Sequence, residues 1–124
     1  MKEEKIEDIK KQLELCSNCG LCKQNCPVFR TLLDESYSPR GKAILLKNEM
    51  LDEILYSCSL CKSCEMTCPA EVKLCEAIRR AREIIAEEGK APKQSEEMIN
   101  NIKEYGNPFG KFKKGEIPKD LHCC

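Results

Sequence analysis

Apolar residues recur along this chain at three- and four-residue spacing. Ile6, Ile9 and Leu13 share one face of a helix expected over residues 3–15. Ser38-Pro39 has the form of a helix start, with Ser as cap and Pro at the first helical position. Ala43, Ile44 and Leu46 follow it. Met50, Leu51, Ile54 and Leu55 form a short apolar face within 50–56. The longest stripe runs over 71–88 through Val72, Cys75, Ile78, Ile84 and Ile85, with Gly89 as its stop. Pro92 opens a further helix carrying Met98, Ile99 and Ile102, which ends at Gly106-Asn107-Pro108. No run alternates with the period of a strand, and no Asn-Gly hairpin joins two such runs. The pattern predicts an all-α fold. Its domain extends over 1–110, and an irregular Gly-, Lys- and Pro-rich tail follows over 111–124.

Composition adds a constraint. A chain of 124 residues with no Trp, three Phe and three Tyr buries little large apolar surface, and 34% of it is charged. Eleven cysteines offer another way to hold it together. Lys plus Arg and Asp plus Glu balance at 21 each, which argues against nucleic acid as a partner. The first residues contain no apolar signal core, and no stretch is long and apolar enough to span a bilayer. A cytoplasmic chain is expected, associated with a membrane only through a partner. In that compartment thiols stay reduced, so the cysteines suggest metal ligation in place of disulfides.

The cysteines fall into a repeat. Residues 16–27 read C-S-N-C-G-L-C-K-Q-N-C-P, and residues 58–69 read C-S-L-C-K-S-C-E-M-T-C-P. The two copies align without a gap at an offset of 42 residues. They predict two cluster-binding loops related by a pseudo-two-fold. In C-x-x-C-x-x-C the backbone wraps tightly enough for three thiolates to meet three irons of one [4Fe–4S] cube, while loop amides turn inward. The fourth Cys of such a run, followed by Pro, ligates the other cluster in two-cluster ferredoxins. Applied here, cluster I takes Cys16, Cys19, Cys22 and Cys68, and cluster II takes Cys58, Cys61, Cys64 and Cys26. Pro27 and Pro69 are expected to stop the local turn after each crossing ligand. The alternative is a structural double-zinc module. Zinc sites usually split into two separated C-x-x-C pairs, unlike these complete triple runs.

Thirty-one residues separate Cys26 from Cys58, with helical signals and no strand signals between them. This arrangement resembles the α-helical ferredoxin domain. Two short elements narrow the resemblance: Ser38-Pro39-Arg40-Gly41-Lys42, and Gly106-Asn107-Pro108-Phe109-Gly110. With Cys68-Pro69-Ala70-Glu71-Val72 they are similar to the N-terminal cluster domain of one family. It includes the C and D components of heterodisulfide reductase, the glycolate oxidase iron–sulfur subunit and the C component of anaerobic glycerol-3-phosphate dehydrogenase.

The resemblance implies a non-catalytic electron-transfer subunit. It would relay single electrons between an FAD-linked dehydrogenase or oxidase and a further acceptor. The alternative it implies is the small subunit of a heterodisulfide-reductase-like enzyme, with the catalytic C-C-G domain on another chain. Larger relatives continue into C-C-G domains, whereas this sequence ends Leu121-His122-Cys123-Cys124. Cys75 reads as a small buried hydrophobe on its helix, with a spare ligand as the sharper alternative. His122, Cys123 and Cys124 read as part of the tail and stay outside the ligand set. Arg40 and Lys42 read as a solvated face or, functionally, as cations that tune a cluster. Lys23 and Lys62 lie inside the loops and are expected to be exposed.

Overall fold

The computed structural model describes residues 1–118, so His122, Cys123 and Cys124 lie outside the described residues. By internal packing the chain forms two compact units, Met1–Lys90 and Ala91–Cys124. The expected boundary at 110 follows a change of composition. Packing instead divides at the stop of the longest helix, where Gly89 takes a left-handed φ of 66°.

Among the described residues every regular element is helical, as the pattern predicts. The first unit contains α1 (Lys2–Leu13), α2 (Pro27–Leu32), α3 (Pro39–Lys47), α4 (Ser63–Thr67) and α5 (Leu74–Glu87). Short 3₁₀ turns occupy Leu21–Asn25, Glu35–Tyr37 and Glu53–Ser57. The core is one cluster. Ile9 and Leu13 of α1 and Ala43 and Leu46 of α3 meet Ile78, Ile84 and Ile85 of α5 around Leu55. Ala77 and Ala81 of α5 are wholly buried, and their small side chains allow close approach. Burying a side chain such as Leu13 or Ile78 contributes about 1.5–3 kcal/mol. At the rim, Lys5 of α1 pairs with Glu83 and Glu87 of α5 at 2.9 and 2.6 Å.

Four boundaries differ from the sequence pattern. The first helix ends at Leu13 and not at 15, with Glu14 as its cap. The 50–56 face does not form an α-helix. The Asp52 carboxylate accepts from the Ile54 amide at 2.9 Å, closing a 3₁₀ turn that leads directly to Cys58. The long helix begins at Leu74, not 71, because Glu71 sits at φ 53°, outside helical space. Pro27 starts a helix instead of stopping a turn. Cys26 is the cap of α2, its Sγ accepting from the Phe29 amide at 3.4 Å, and Pro27 fills the first position, where no donor is needed.

Ser38 caps α3 as its sequence suggests. Its Oγ accepts from the Gly41 amide at 2.9 Å and donates to Glu35 O at 2.7 Å, with the residue fully buried. Ser38→Ala should therefore lower stability by about 1–2 kcal/mol, read as a fall in thermal midpoint. An unchanged midpoint would show that the cap is dispensable.

In the second unit, α6 (Lys93–Tyr105) follows Pro92 and ends at Gly106, which takes φ 74°. Beyond it Asn107 folds the chain back: its Oδ1 accepts from the Phe109 amide at 2.9 Å, and its Nδ2 donates to Gly110 O at 3.1 Å. Asn101 Nδ2 donates to Pro108 O at 3.0 Å. These bonds account for the Gly-Asn-Pro-Phe-Gly sequence as a turn locked onto its own helix.

Candidate metal centres

The sequence repeat is also a backbone repeat. Asn18 and Leu60 occupy equivalent places in the two runs and lie at φ 61° and 56°. Gly20 and Lys62, likewise equivalent, lie at φ 82° and 63°. Cys26 and Cys68 share one extended conformation, with φ −79° and ψ 116° for the first and φ −76° and ψ 116° for the second. Each C-x-x-C thus turns through a left-handed residue, which aims successive amides to one side. The strain of left-handed Asn, Leu and Lys is about 1–2 kcal/mol each, and two loops sharing it share a purpose.

Cys16, Cys19, Cys22 and Cys68 line a single cavity, which Cys64 also borders, so the fourth cysteine of the second run lies near three of the first. Arg40 reaches the same cavity from α3. The other four are less symmetric. Cys58, Cys26 and Cys64 all act electrostatically on the ammonium of Lys42. Cys61 is exposed at the end of its loop, with Sγ 3.4 Å from Ser63 Oγ.

Burial pushes the Cys22 thiol up, and its neighbours Cys16, Cys19 and Cys68 push it the same way. Burial also pushes Cys64 far up, with Cys75 adding to the rise. At Cys61 the Ser63 hydroxyl and amide hold the thiol down. Thiols crowded and buried in this way need a cation to become thiolates together, and metal binding releases their protons.

The residues fit a [4Fe–4S] cube. The donors are thiols, and amides already point at sulfur: Phe29 N–H to Cys26 Sγ and Leu60 N–H to Cys58 Sγ, both at 3.4 Å. A zinc ion draws four sulfurs to about 2.3 Å of a single atom, whereas a cube spreads them over four irons.

Several cations prove more specific than their sequence setting suggests. Lys42, expected on a solvated face, is 2% exposed, and burial pushes its ammonium down. Its Nζ donates to Tyr37 O at 2.6 Å. Lys23, expected to be exposed, is half-buried and pairs with Glu35 Oε2 at 2.7 Å; Lys62 is exposed as expected. Arg40 Nε donates to Glu35 Oε1 at 2.7 Å. With Arg40 and Lys23 donating to it, Glu35 is held down to about 2. Cys75 is buried, as read, and its amide donates to Glu65 Oε1 at 3.0 Å.

Two residues carried no signal in the motifs. Lys47 Nζ donates to Cys16 O and to Asn18 Oδ1, the latter at 3.2 Å. Arg82 Nη2 donates to Leu55 O at 2.8 Å and to Cys58 O. They bind equivalent carbonyls in the two runs. Their positions, on α3 and in the middle of α5, lie far from the cysteines in sequence.

Comparison with known proteins bears on the kind of centre held here. Residues 12–72 match the family described as a 4Fe-4S dicluster domain. The glycolate oxidase iron–sulfur subunit of Escherichia coli is 35% identical over 88 residues, covering 64% of this chain and 22% of that protein. An iron–sulfur subunit of the CoB–CoM heterodisulfide reductase of Methanocaldococcus jannaschii, designated C 2, is 33% identical over 84 residues, covering 67% of this chain and 45% of its own length. An electron transport protein of E. coli, YkgF, is 30% identical over 108 residues, covering 81% of this chain and 23% of that protein. The chain therefore spans less than half the length of each of these relatives.

Proposed function

We propose that this chain, whose residues 12–72 form a dicluster domain indicating two [4Fe–4S] clusters, serves as an electron-transfer subunit of an oxidoreductase. Each cluster, when bound, takes up and releases one electron at a time. One would be held by Cys16, Cys19, Cys22 and Cys68, the other by Cys58, Cys61, Cys64 and Cys26. The protein supplies ligation, spacing and electrostatic tuning. What supports this reading is that Cys68 borders one cavity with the three leading cysteines of the opposite run, Cys64 bordering it too.

The partner would be an FAD-linked dehydrogenase or oxidase subunit delivering electrons singly, with a further redox protein as acceptor. The proposed setting is cytoplasmic; among the described residues no helix is long and apolar enough to cross a membrane. The similarity to an iron–sulfur subunit of a heterodisulfide reductase favours a second reading. There the acceptor is a C-C-G-domain protein that carries the catalytic site.

Anaerobic reconstitution tests the common core. About eight irons and eight sulfides per chain, and a low-temperature EPR signal on reduction, are expected of two cubes. Bound zinc with no reducible centre would reject it. Anaerobic co-purification separates the two readings: a flavoprotein supports the first, and a C-C-G protein the second.

A further inference from the structure

Arg40 and Lys42 are two residues apart on α3, about 200° around the helix axis, so they serve opposite sides. Arg40 reaches the cavity of Cys16, Cys19, Cys22 and Cys68. Lys42 is buried and donates to Tyr37 O, and Tyr37 shares one groove with Ser57, the residue before Cys58; Cys58, Cys26 and Cys64 all act on its ammonium. One helix thus supplies one cation to each candidate centre, but the two cations are not equal.

Arg40 is partly exposed, and Glu35 neutralises it across a 2.7 Å ion pair. Lys42 Nζ bonds a neutral carbonyl, Tyr37 O, and stands over the Tyr37 ring at 5.9 Å. Among the described residues no carboxylate forms an ion pair with it. A buried charge with a neutral partner acts on its surroundings far more strongly than an exposed charge held by a carboxylate.

Two further cations are matched across the two-fold. Lys47 donates to Cys16 O, and Arg82 donates to Cys58 O, its two-fold equivalent. Glu65, the carboxylate beside Cys64 in sequence, turns to the Cys75 amide in the first turn of α5, where the helix dipole offsets its charge. Lys42 is what remains.

We propose that Lys42 raises the reduction potential of the centre held by Cys26, Cys58, Cys61 and Cys64 above that of its twin. This rests on the ligand assignment given above. A fixed positive charge stabilises the extra negative charge of the reduced centre, so reduction of the centre beside Lys42 is favoured. An electron entering at the Cys16 side then passes to the Cys58 side. The first centre is oxidised by one electron and the second reduced by one. The order of the relay is thus written into one helix.

The test is a potentiometric EPR titration of the full chain with both centres reconstituted. Cys19→Ser and Cys61→Ser each perturb one signal and so identify the two centres. In the wild-type protein the signal altered by Cys61→Ser should appear first on reduction. Lys42→Met should cut the reduced-to-oxidised ratio of that centre about tenfold at a fixed potential, about 59 mV for a one-electron couple. The other midpoint should stay in place, and Lys42→Arg should restore the shifted one. Midpoints that do not respond to Lys42→Met, or that move together, overturn the proposal. So does a wild-type order in which the Cys19 centre reduces first, a result that needs no folded Lys42 variant. Fewer than two centres in the wild-type chain would overturn the electron-transfer reading itself, and this inference with it.

Discussion

Gly41→Ala should be among the most damaging single substitutions in the chain, costing about 3 kcal/mol or more. The added methyl would lie 2.0 Å from Glu35 O, 2.9 Å from Glu35 C and 3.2 Å from Ser36 Cα. All three are backbone atoms, so no side chain can swing aside. Nor can the backbone yield cheaply. Glu35 O already accepts from the Ser38 amide at 2.9 Å and from Ser38 Oγ at 2.7 Å, and Ser38 Oγ in turn caps Gly41. Moving Glu35 would unmake the cap of α3 and the ion pairs to Arg40 and Lys23 together.

Gly89→Ala is the control. Its methyl meets nothing within 4 Å, and only its φ of 66° opposes it, for about 1–2 kcal/mol. Thermal unfolding and iron retention of both reconstituted variants decide the matter. Gly41→Ala should melt well below Gly89→Ala and lose iron first. Equal midpoints would mean that the 3₁₀ turn before α3 slides freely, and that α3 does not hold Arg40 and Lys42 by this contact.

That contact also marks the limit of what a sequence shows. The cysteine runs were legible because ligand spacing is local, and their two-fold reappears as matched left-handed turns at Asn18 and Leu60. The Ser38 cap and the Gly106 stop were legible for the same reason. Gly41 resembled any glycine of a short motif, since the atoms it avoids belong to a different turn. Lys42 carried the signature of a surface residue, because burial of a lysine depends on which carbonyl and thiols the fold brings near it. Arg82 was hidden inside the longest amphipathic stripe, where one arginine among several has no distinguishing neighbour. Pro27 misled because proline both ends and begins helices. Only the Cys26 sulfur accepting the Phe29 amide decides between the two.

The proposed crossing of ligands has the largest chemical consequence. Cys68 belongs by sequence to the second run but lies by position with Cys16, Cys19 and Cys22. Cys68→Ser should therefore remove the centre of the first run and spare the one beside it. Iron should fall from about eight to about four per chain. Because ligand binding also joins two distant segments, the loss should destabilise the whole first unit by several kcal/mol. Cys19→Ser removes a first-run ligand and Cys61→Ser a second-run ligand, and each leaves a residual EPR spectrum for comparison. The signal that survives Cys68→Ser should match the one that survives Cys19→Ser. If the ligands did not cross, it would match Cys61→Ser, and the fourth cysteine of each run would serve its own loop. Cys26→Ser gives the reciprocal experiment: its residual spectrum should coincide with that of Cys61→Ser, although an offset of 42 residues separates the loops it connects.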